Sequence, residues 1–422
     1  RSNSLPLVRK KLKFLCQIEF MGFYENRDPM HWPFFETFIQ TGSLTVIAAD
    51  GQHRHFGEGT PSAAIEFSDP GCLTEILRNP EMNLGKTYVE GRWKPGAEFD
   101  LHSVLHVLRV NFEKTLAQTR WSTFSQSVTA LLRSWNSLVA SRRNVAHHYD
   151  LDEALFRACL DRDMHYSCAY FRSPNDDLER AQHAKCEHIA RKLCLRPGQR
   201  VLDIGCGWGS LALYLAEHHQ VHVTGLTLSA EQLKVAEQRA IDRGLSHLVN
   251  FRLQDYRLHR GQYDRVVSVG MFEHVGKAAY RKFFACVERA LATGGIALIH
   301  TIADQQQAGS VNPWIRQNIF PGGHIPSAGQ VVPAIEQSRL AIADLECWRD
   351  HYALTLAEWN RRFQKNRMQF AASDEAFCRM WEFYLVLCQT AFEVGHLAVH
   401  HWQLFKGNQT EIPVTRDYLY AD

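Results

Sequence analysis

No apolar run in this chain approaches the roughly 20 residues needed to span a bilayer, and no signal-peptide pattern opens it. Charge of one sign is also missing. The 47 lysines and arginines nearly balance 45 aspartates and glutamates, leaving a net charge of +2. That balance offers no strong positive field, so nucleic acid is not an expected partner. Paired cysteines are lacking as well. Eleven cysteines are scattered without metal-ligand spacing, and an odd count of this kind fits reduced thiols better than a disulfide framework or a metal centre. A soluble cytoplasmic protein is therefore expected, one free to work at a membrane surface. With 422 residues, the chain has room for two or three domains.

What the sequence does hold is organised around residues 200–217. Val201, Leu202 and Ile204 form a short apolar run, Gly205, Gly207 and Gly209 punctuate it, and Leu211, Leu213, Tyr214 and Leu215 follow at helical spacing. The pattern predicts a strand, a tight turn and a helix. Asp203 would stand at the carboxyl end of the strand, where open α/β sheets bind ligands. Glycines in such a turn allow a ligand to approach bare backbone. The spacing G-x-G-x-G differs from the dinucleotide fingerprint, and D-I-G-C-G-W-G at 203–209 resembles the first motif of class I S-adenosylmethionine (SAM) dependent methyltransferases.

Ahead of this turn, residues 34–70 alternate and turn like a small antiparallel sheet, with strands expected at 42–49, 53–56 and 63–67, and helical spacing follows from 72 to 138. Residues 7–15 mix basic and apolar side chains, as an ordinary surface helix or a membrane-surface helix would. The polar, basic join at 141–144 marks the expected boundary between an N-terminal α+β domain (1–140) and a catalytic domain (141–422). Beyond a charged helix at 176–194, strands at 221–226, 249–253, 264–269 and 296–302 alternate with helices from 230 and at 277–291. That order predicts a parallel, doubly wound sheet. The aromatic, proline- and glycine-punctuated stretch 312–323 is longer than a connection requires and is expected to cover a site. Helices are expected near 327–337, 353–371 and 374–394, the last with Phe377, Met380, Trp381, Tyr384, Leu387, Ala391 and Phe392 as core packing.

Several segments in order resemble the cyclopropane-fatty-acyl-phospholipid synthase family, over about residues 84–405. They are H-Y-D-L at 148–151, Y-S-C-A-Y-F at 166–171, 201–209, G-L-T-L-S at 225–229 with Glu231 and Gln232, D-Y-R at 255–257, S-V-G-M-F-E-H-V-G at 268–276, H-T-I at 300–302, P-W-I at 313–315 and I-F-P-G at 319–322. Upstream, Leu84, Gly85, Tyr88 and G-R-W at 91–93 match the family's amino-terminal domain. Residues 152–155 depart from the family's usual glycine-asparagine pair, and the sheet at 34–70 is absent from shorter members.

The resemblance implies a class I SAM-methyltransferase fold with helical additions, preceded by a smaller α+β domain. It implies transfer of a methylene unit from SAM to a cis double bond in an unsaturated phospholipid at the bilayer surface, by a protein peripheral to the inner face of the membrane. A homodimer is one option for its assembly. Methyl transfer to an alkene leaves a carbocation, and ring closure then requires loss of a proton. The site therefore needs aromatic faces, for which Tyr170, Phe171, Phe272, Trp348 and Tyr352 are candidates, and one base. The family implies a bound bicarbonate ion as that base, held by Cys168, Glu273, His300, the Ile302 backbone and Tyr352, with donors on one side and the Glu273 carboxylate on the other. For SAM, the matching positions are Tyr166 and Ser167 at the methionine end, Asp203, Gly205, Gly207 and Gly209 at the turn, Thr227 and Gln232 for the ribose, and Asp255 and Tyr256 for the adenine. Three other readings stay open: a fatty-acyl methyltransferase that leaves a methyl or methylene branch, a small-molecule methyltransferase, and a catalytically silent lipid-binding protein on the same scaffold. Acyl length, double-bond position and headgroup are not legible in the sequence.

Overall fold

The computed structural model describes residues 31–118, 153–306, 309–371, 374–408 and 411–420. The basic segment 7–15, the join at 140/141 and the H-Y-D-L motif at 148–151 lie outside the described residues. The chain divides into two compact units, Arg1–Gln118 and Thr119–Asp422.

In the first unit, strands β1 (Gly42–Ile47), β2 (His53–Glu58), β3 (Ser62–Phe67) and β4 (Trp93–Pro95) form one sheet in the order β2-β1-β3-β4. The sheet is mixed, not antiparallel throughout as the sequence suggested, because β3 runs parallel to β1. Residues 59–61 carry the chain across the start of β1 instead of folding it back onto β2. The crossing is held by the Ser43 amide donating to the Pro61 carbonyl (2.9 Å) and by Ser43 Oγ donating to the Gly59 carbonyl (3.2 Å). β4 interrupts the stretch expected to be helical from 72 to 138, separating the helices Gly71–Arg78 and Pro80–Val89 from Leu101–Gln118. Leu44, Val46, Ala63, Ile65 and Phe67 point inward from β1 and β3 and are buried along with Trp93, Val104 and Val107. The upstream family residues do structural work here. Trp93 Nε1 donates to the Leu84 carbonyl (3.0 Å), Tyr88 packs on the Trp93 ring at 4.8 Å, and Arg92 forks onto Asp69 at 2.8 and 3.1 Å.

The second unit is built on a seven-stranded sheet. Its strands are β5 (Arg200–Ile204), β6 (His222–Thr227), β7 (Val249–Leu253), β8 (Tyr263–Val269), β9 (Leu291–Asp304), β12 (Leu340–Trp348) and β13 (Leu397–Lys406), with a separate two-stranded pair of β10 (Gly309–Ser310) and β11 (His324–Ile325). The order is β12-β13-β9-β8-β5-β6-β7, and β9 through β7 are parallel, as the alternation predicted. β12 and β13, unforeseen from the sequence, extend this core antiparallel.

Both faces of the sheet are covered, which explains the near-continuous apolar strands. Val201, Val223, Val267, Ile296 and Leu298 face the helices Leu178–Lys192, Ser210–His219 and Ala230–Asp242. Leu202, Ile204, Ala297, Ile299, Trp402 and Leu404 face Tyr280–Ala290 and Ala328–Glu336. On β5 and β9 the change of face comes at every residue, as a strand requires. The stretch 312–323 contains a helix, Pro313–Asn318, capped by Asn312, whose side chain accepts from the Trp314 and Ile315 amides at 3.0 and 3.2 Å. Toward the C-terminus the helices His351–Asn366 and Glu375–Glu393 pack on each other, with Glu153–Cys159 against the first and the short Met368–Ala371 between them in sequence.

Candidate active site

Strand order reverses between β5 and β8, and a crevice at the carboxyl ends of parallel strands is the usual consequence. A cavity opens there, lined by Tyr166, Ser167, Asp203, Gly205, Gly207, Thr227, Gln232, Asp255 and Tyr256. Nine of the ten positions expected to meet a cofactor are thus gathered in one wall. The tenth, Gly209, does not line the cavity. A Cβ there would lie 2.7 Å from Phe251 and 2.9 Å from Ala236, so this glycine, at φ +78° before the helix Ser210–His219, serves the packing of that helix on the sheet. Gly207 is the glycine whose missing side chain leaves space: at φ +54°, the nearest atom to a Cβ would be Gln232 Nε2 at 4.0 Å.

The other lining groups are tied to one another. Thr227 Oγ1 donates to Gln232 Oε1 (2.9 Å), and Ser229 caps the helix Ala230–Asp242 by accepting from the Gln232 amide. Asp255 is buried and paired with Arg257 at 2.8 and 2.6 Å, and that guanidinium also lies over the Tyr256 ring. Tyr166 is hydrogen-bonded to the Tyr384 hydroxyl (2.8 Å) and stacks on Trp359 at 5.1 Å. Asp203 differs. It is 2% exposed, its Oδ2 has no hydrogen-bond partner, and burial pushes its carboxyl up to about 7.

Behind the same wall lies the second group. Glu273 sits in the short turn Phe272–His274 after β8, and its Oε1 accepts the Ile302 amide of β9 at 2.6 Å. Glu273 Oε2 is buried with no hydrogen-bond partner, and desolvation raises this carboxyl to about 7 against the pull of the Ile302 N–H. His300 and Ile302 are two apart on β9 and so share a face. Cys168 is fully buried next to Ser167, and burial pushes its thiol far above the ordinary range. Tyr352, at the start of the helix His351–Asn366, is also driven up by burial, with smaller contributions from Tyr166, Cys168 and Glu273. Ile302 and Tyr352 therefore stand at Glu273, Cys168 stands near Tyr352, and His300 lies two residues from Ile302 on β9, but none of the five lines the cofactor cavity. They stand one residue behind Ser167 and beside Met271 and His274, which do line it.

His300 Nδ1 meets His401 Nε2 at 2.7 Å across the β9–β13 ladder. Burial holds both rings neutral, His300 at about 3 and His401 well below its ordinary value. His401 Nδ1 is buried without a partner. An unmet lone pair is tolerated more readily than an unmet N–H, so His401 carries its proton on Nε2 and donates it to His300. His300 is then fixed with its own N–H on Nε2. Glu346 of β12 stands directly opposite His401, and its Oε2 meets His188 Nε2 at 2.7 Å and Lys192 Nζ at 2.8 Å. A grouping of His188, Glu346 and His401 close enough to hold a metal ion thus already has the Lys192 ammonium as its cation.

Of the expected aromatic faces, Phe272 is core, packed against Tyr280, Phe283 and Phe284. Trp348 reaches the site, edge-on to His300 at 5.8 Å and against His401 at 3.9 Å. Tyr170 stacks on His188 and Trp348, and Tyr352 on Phe392. Residues not foreseen are Lys185, Trp208, His274, Tyr384 and His401. The first three line the cavity. Tyr384 lay in a helix read as core packing, and Lys185 in one read only as a charged helix.

The cavity fits SAM by its donor set: an open glycine face, an orphaned carboxylate at the strand end, and polar side chains toward the β6 and β7 ends. Comparison with known proteins agrees. Residues 136–402 match the family model of mycolic acid cyclopropane synthetase. The chain is 38% identical over 363 residues to the cyclopropane-fatty-acyl-phospholipid synthase of Escherichia coli (strain K12), covering 85% of this chain and 92% of that one. It is 35% identical over 383 residues to a tuberculostearic acid methyltransferase of Mycobacterium tuberculosis, covering 86% and 88%. Among solved structures, the mycolic acid cyclopropane synthase CmaA1 complexed with SAH and CTAB superposes with a TM-score of 0.59 at 32% identity, over 63% of this chain and 98% of that one. The chain belongs to the mycolic acid cyclopropane synthetase family, and it is a SAM-dependent methyltransferase of the cyclopropane-fatty-acyl-phospholipid synthase type.

Proposed function

We propose that this enzyme adds a methylene unit from SAM across the cis double bond of an unsaturated phospholipid acyl chain, closing a cyclopropane ring, with bicarbonate held at the Glu273 cluster as the base. The observation that carries the reading is the buried Glu273 carboxylate, anchored through Oε1 on the Ile302 amide with Oε2 unpartnered. SAM when bound supplies the electrophilic methyl group. The chain's own residues supply the rest. Glu273 Oε2 can accept a proton from a small planar anion, while His300 Nε2–H and the Tyr352 hydroxyl can donate to it. Of the aromatic candidates Tyr352 is the one that stands at this cluster, whereas the faces of Trp348 and Tyr170 are covered by His401, His188 and each other. Cys168 is a protonated, buried thiol and acts as a packing or weak donor group, not as a nucleophile.

No helix among the described residues is long and apolar enough to cross a membrane. The substrate is proposed to be reached at the bilayer surface, with residues 1–140 as the docking domain and the basic segment 9–13 as its electrostatic contact, at the inner face of the membrane. The likeness to a tuberculostearic acid methyltransferase favours, as a second reading, a branched product. The test is incubation with SAM and unsaturated phospholipid vesicles, with and without bicarbonate, followed by nuclear magnetic resonance of the acyl chains. Shielded ring protons that appear only with bicarbonate support the proposal. Vinyl or methyl-branch signals of the same yield select the second reading.

A further inference from the structure

We infer that Lys185 is the anchor for the cofactor's carboxylate, an assignment that rests on the cavity being the SAM site. Lys185 lies on the helix Leu178–Lys192, is 1% exposed and lines the cavity. Its only hydrogen bond among the described residues is to Ser167 Oγ at 3.1 Å, and no carboxylate there comes within ion-pair distance of it. A buried ammonium with donors to spare is costly unless an anion meets it. The other charged helix lysine, Lys192, shows how this chain normally meets the cost, with Asp344 and Glu346 at 2.9 and 2.8 Å.

Across the same cavity wall Asp203 has the complementary deficit, a buried carboxylate oxygen with no hydrogen-bond partner. Lys185 pulls the Asp203 carboxyl down against the rise caused by burial, yet no ion pair joins the two, so the wall presents an ammonium and a carboxyl group that are close without meeting. An α-amino acid end is a zwitterion that answers both, carboxylate to Lys185 and ammonium to Asp203. The sulfonium does not suit Lys185, since like charges repel. Ser167, which accepts from Lys185, and Gln182, whose Nε2 donates to the Ser167 carbonyl at 3.0 Å, hold the loop and the lysine in register.

The test is calorimetry of the full chain, without lipid, using SAM and decarboxylated SAM, which keeps the amine and sulfonium and lacks the carboxylate. The wild type should prefer SAM by roughly 30-fold or more, the scale of a buried charge pair completed on binding. Lys185→Met should weaken SAM by a similar factor and decarboxylated SAM by less than about threefold, and Lys185→Arg should restore part of the preference. Equal weakening of both ligands, or a wild type that does not discriminate between them, overturns the assignment; the second result holds even if the Met variant fails to fold. A wild type that binds neither compound overturns the reading of the cavity itself.

Discussion

Replacing Glu273 with Gln separates two consequences of one buried carboxylate. The side chain keeps its shape, and the amide oxygen can still accept the Ile302 N–H that Oε1 accepts at 2.6 Å. What changes is the unpartnered position, where an NH₂ replaces an oxygen that can take a proton. Turnover should fall by roughly a hundredfold or more, the scale of lost acid-base catalysis, while SAM affinity stays within about twofold. Stability should move the other way. Burial raises this carboxyl from 4.5 to about 7, so between those values the folded protein holds a proton that the unfolded chain has released. Stability therefore falls as pH rises through that window, and the cost is complete above it. The shift corresponds to about 3 kcal/mol at pH 8 and under about 1 kcal/mol at pH 5. Gln carries no such cost, so Glu273→Gln should melt above the wild type at pH 8 and close to it at pH 5. Thermal and denaturant melts at the two pH values, beside a single-turnover assay, decide the matter. A variant that turns over at the wild-type rate refutes the catalytic role. One whose stability difference is the same at both pH values refutes the buried, proton-holding carboxyl.

Gly207→Val should abolish SAM binding in calorimetry, because the new side chain enters the open face of the cavity, and at φ +54° it should also lower the melting temperature while leaving the far-ultraviolet circular dichroism of the folded protein unchanged. Gly209→Ala should instead lower stability by about 2 kcal/mol or more in denaturant melts, since its Cβ meets Phe251 and Ala236 at a positive φ. His401→Phe removes the donor that fixes the His300 tautomer, and should lower kcat roughly tenfold or more with little change in the KM for SAM. Converting Arg9, Lys10, Lys11 and Lys13 to Gln should weaken sedimentation with anionic vesicles, by about 1 kcal/mol for each charge that reaches the surface, and rising salt should do the same to the wild type.

The cofactor half of the site was legible because its signals are local. A strand, three glycines and a helix lie within 20 residues, and the β6 and β7 ends follow in the same rhythm. The three glycines looked alike in sequence, and only the fold separates Gly207, which leaves space, from Gly209, which packs. The strands β12 and β13 were missed for a different reason. Asp344 and Glu346, and then His400, His401 and Gln403, break the apolar pattern that marks a buried strand. Asp344 and Glu346 are half-buried against Lys192 of the helix Leu178–Lys192, Gln403 donates to the Lys192 carbonyl, and His401 meets His300 on β9, partners that no window of sequence displays. The same helix hid Lys185. Its many charges gave no sign of which side chains turn inward, yet two of its lysines are among the most buried large side chains of the described residues. Phe272 erred in the other direction, drawn toward the site by its neighbour Glu273 while its ring belongs to the core.

The position of β13 bears on how the enzyme comes into being. The last strand of the sheet to be synthesised is not at an edge; it inserts between β9 and β12, which have been waiting since residues 304 and 348. The parallel strands β5 to β9 can pair as soon as β9 is made, whereas β9 and β12 keep open, adhesive edges until residue 406 emerges. A nascent or proteolytically shortened chain ending before Leu397 would thus keep the residues that line the cavity but lack the His401 partner of His300, and would be prone to recruit strands from its neighbours. The C-terminal strand does two things at once: it closes the last gap in the sheet and brings His401 to His300.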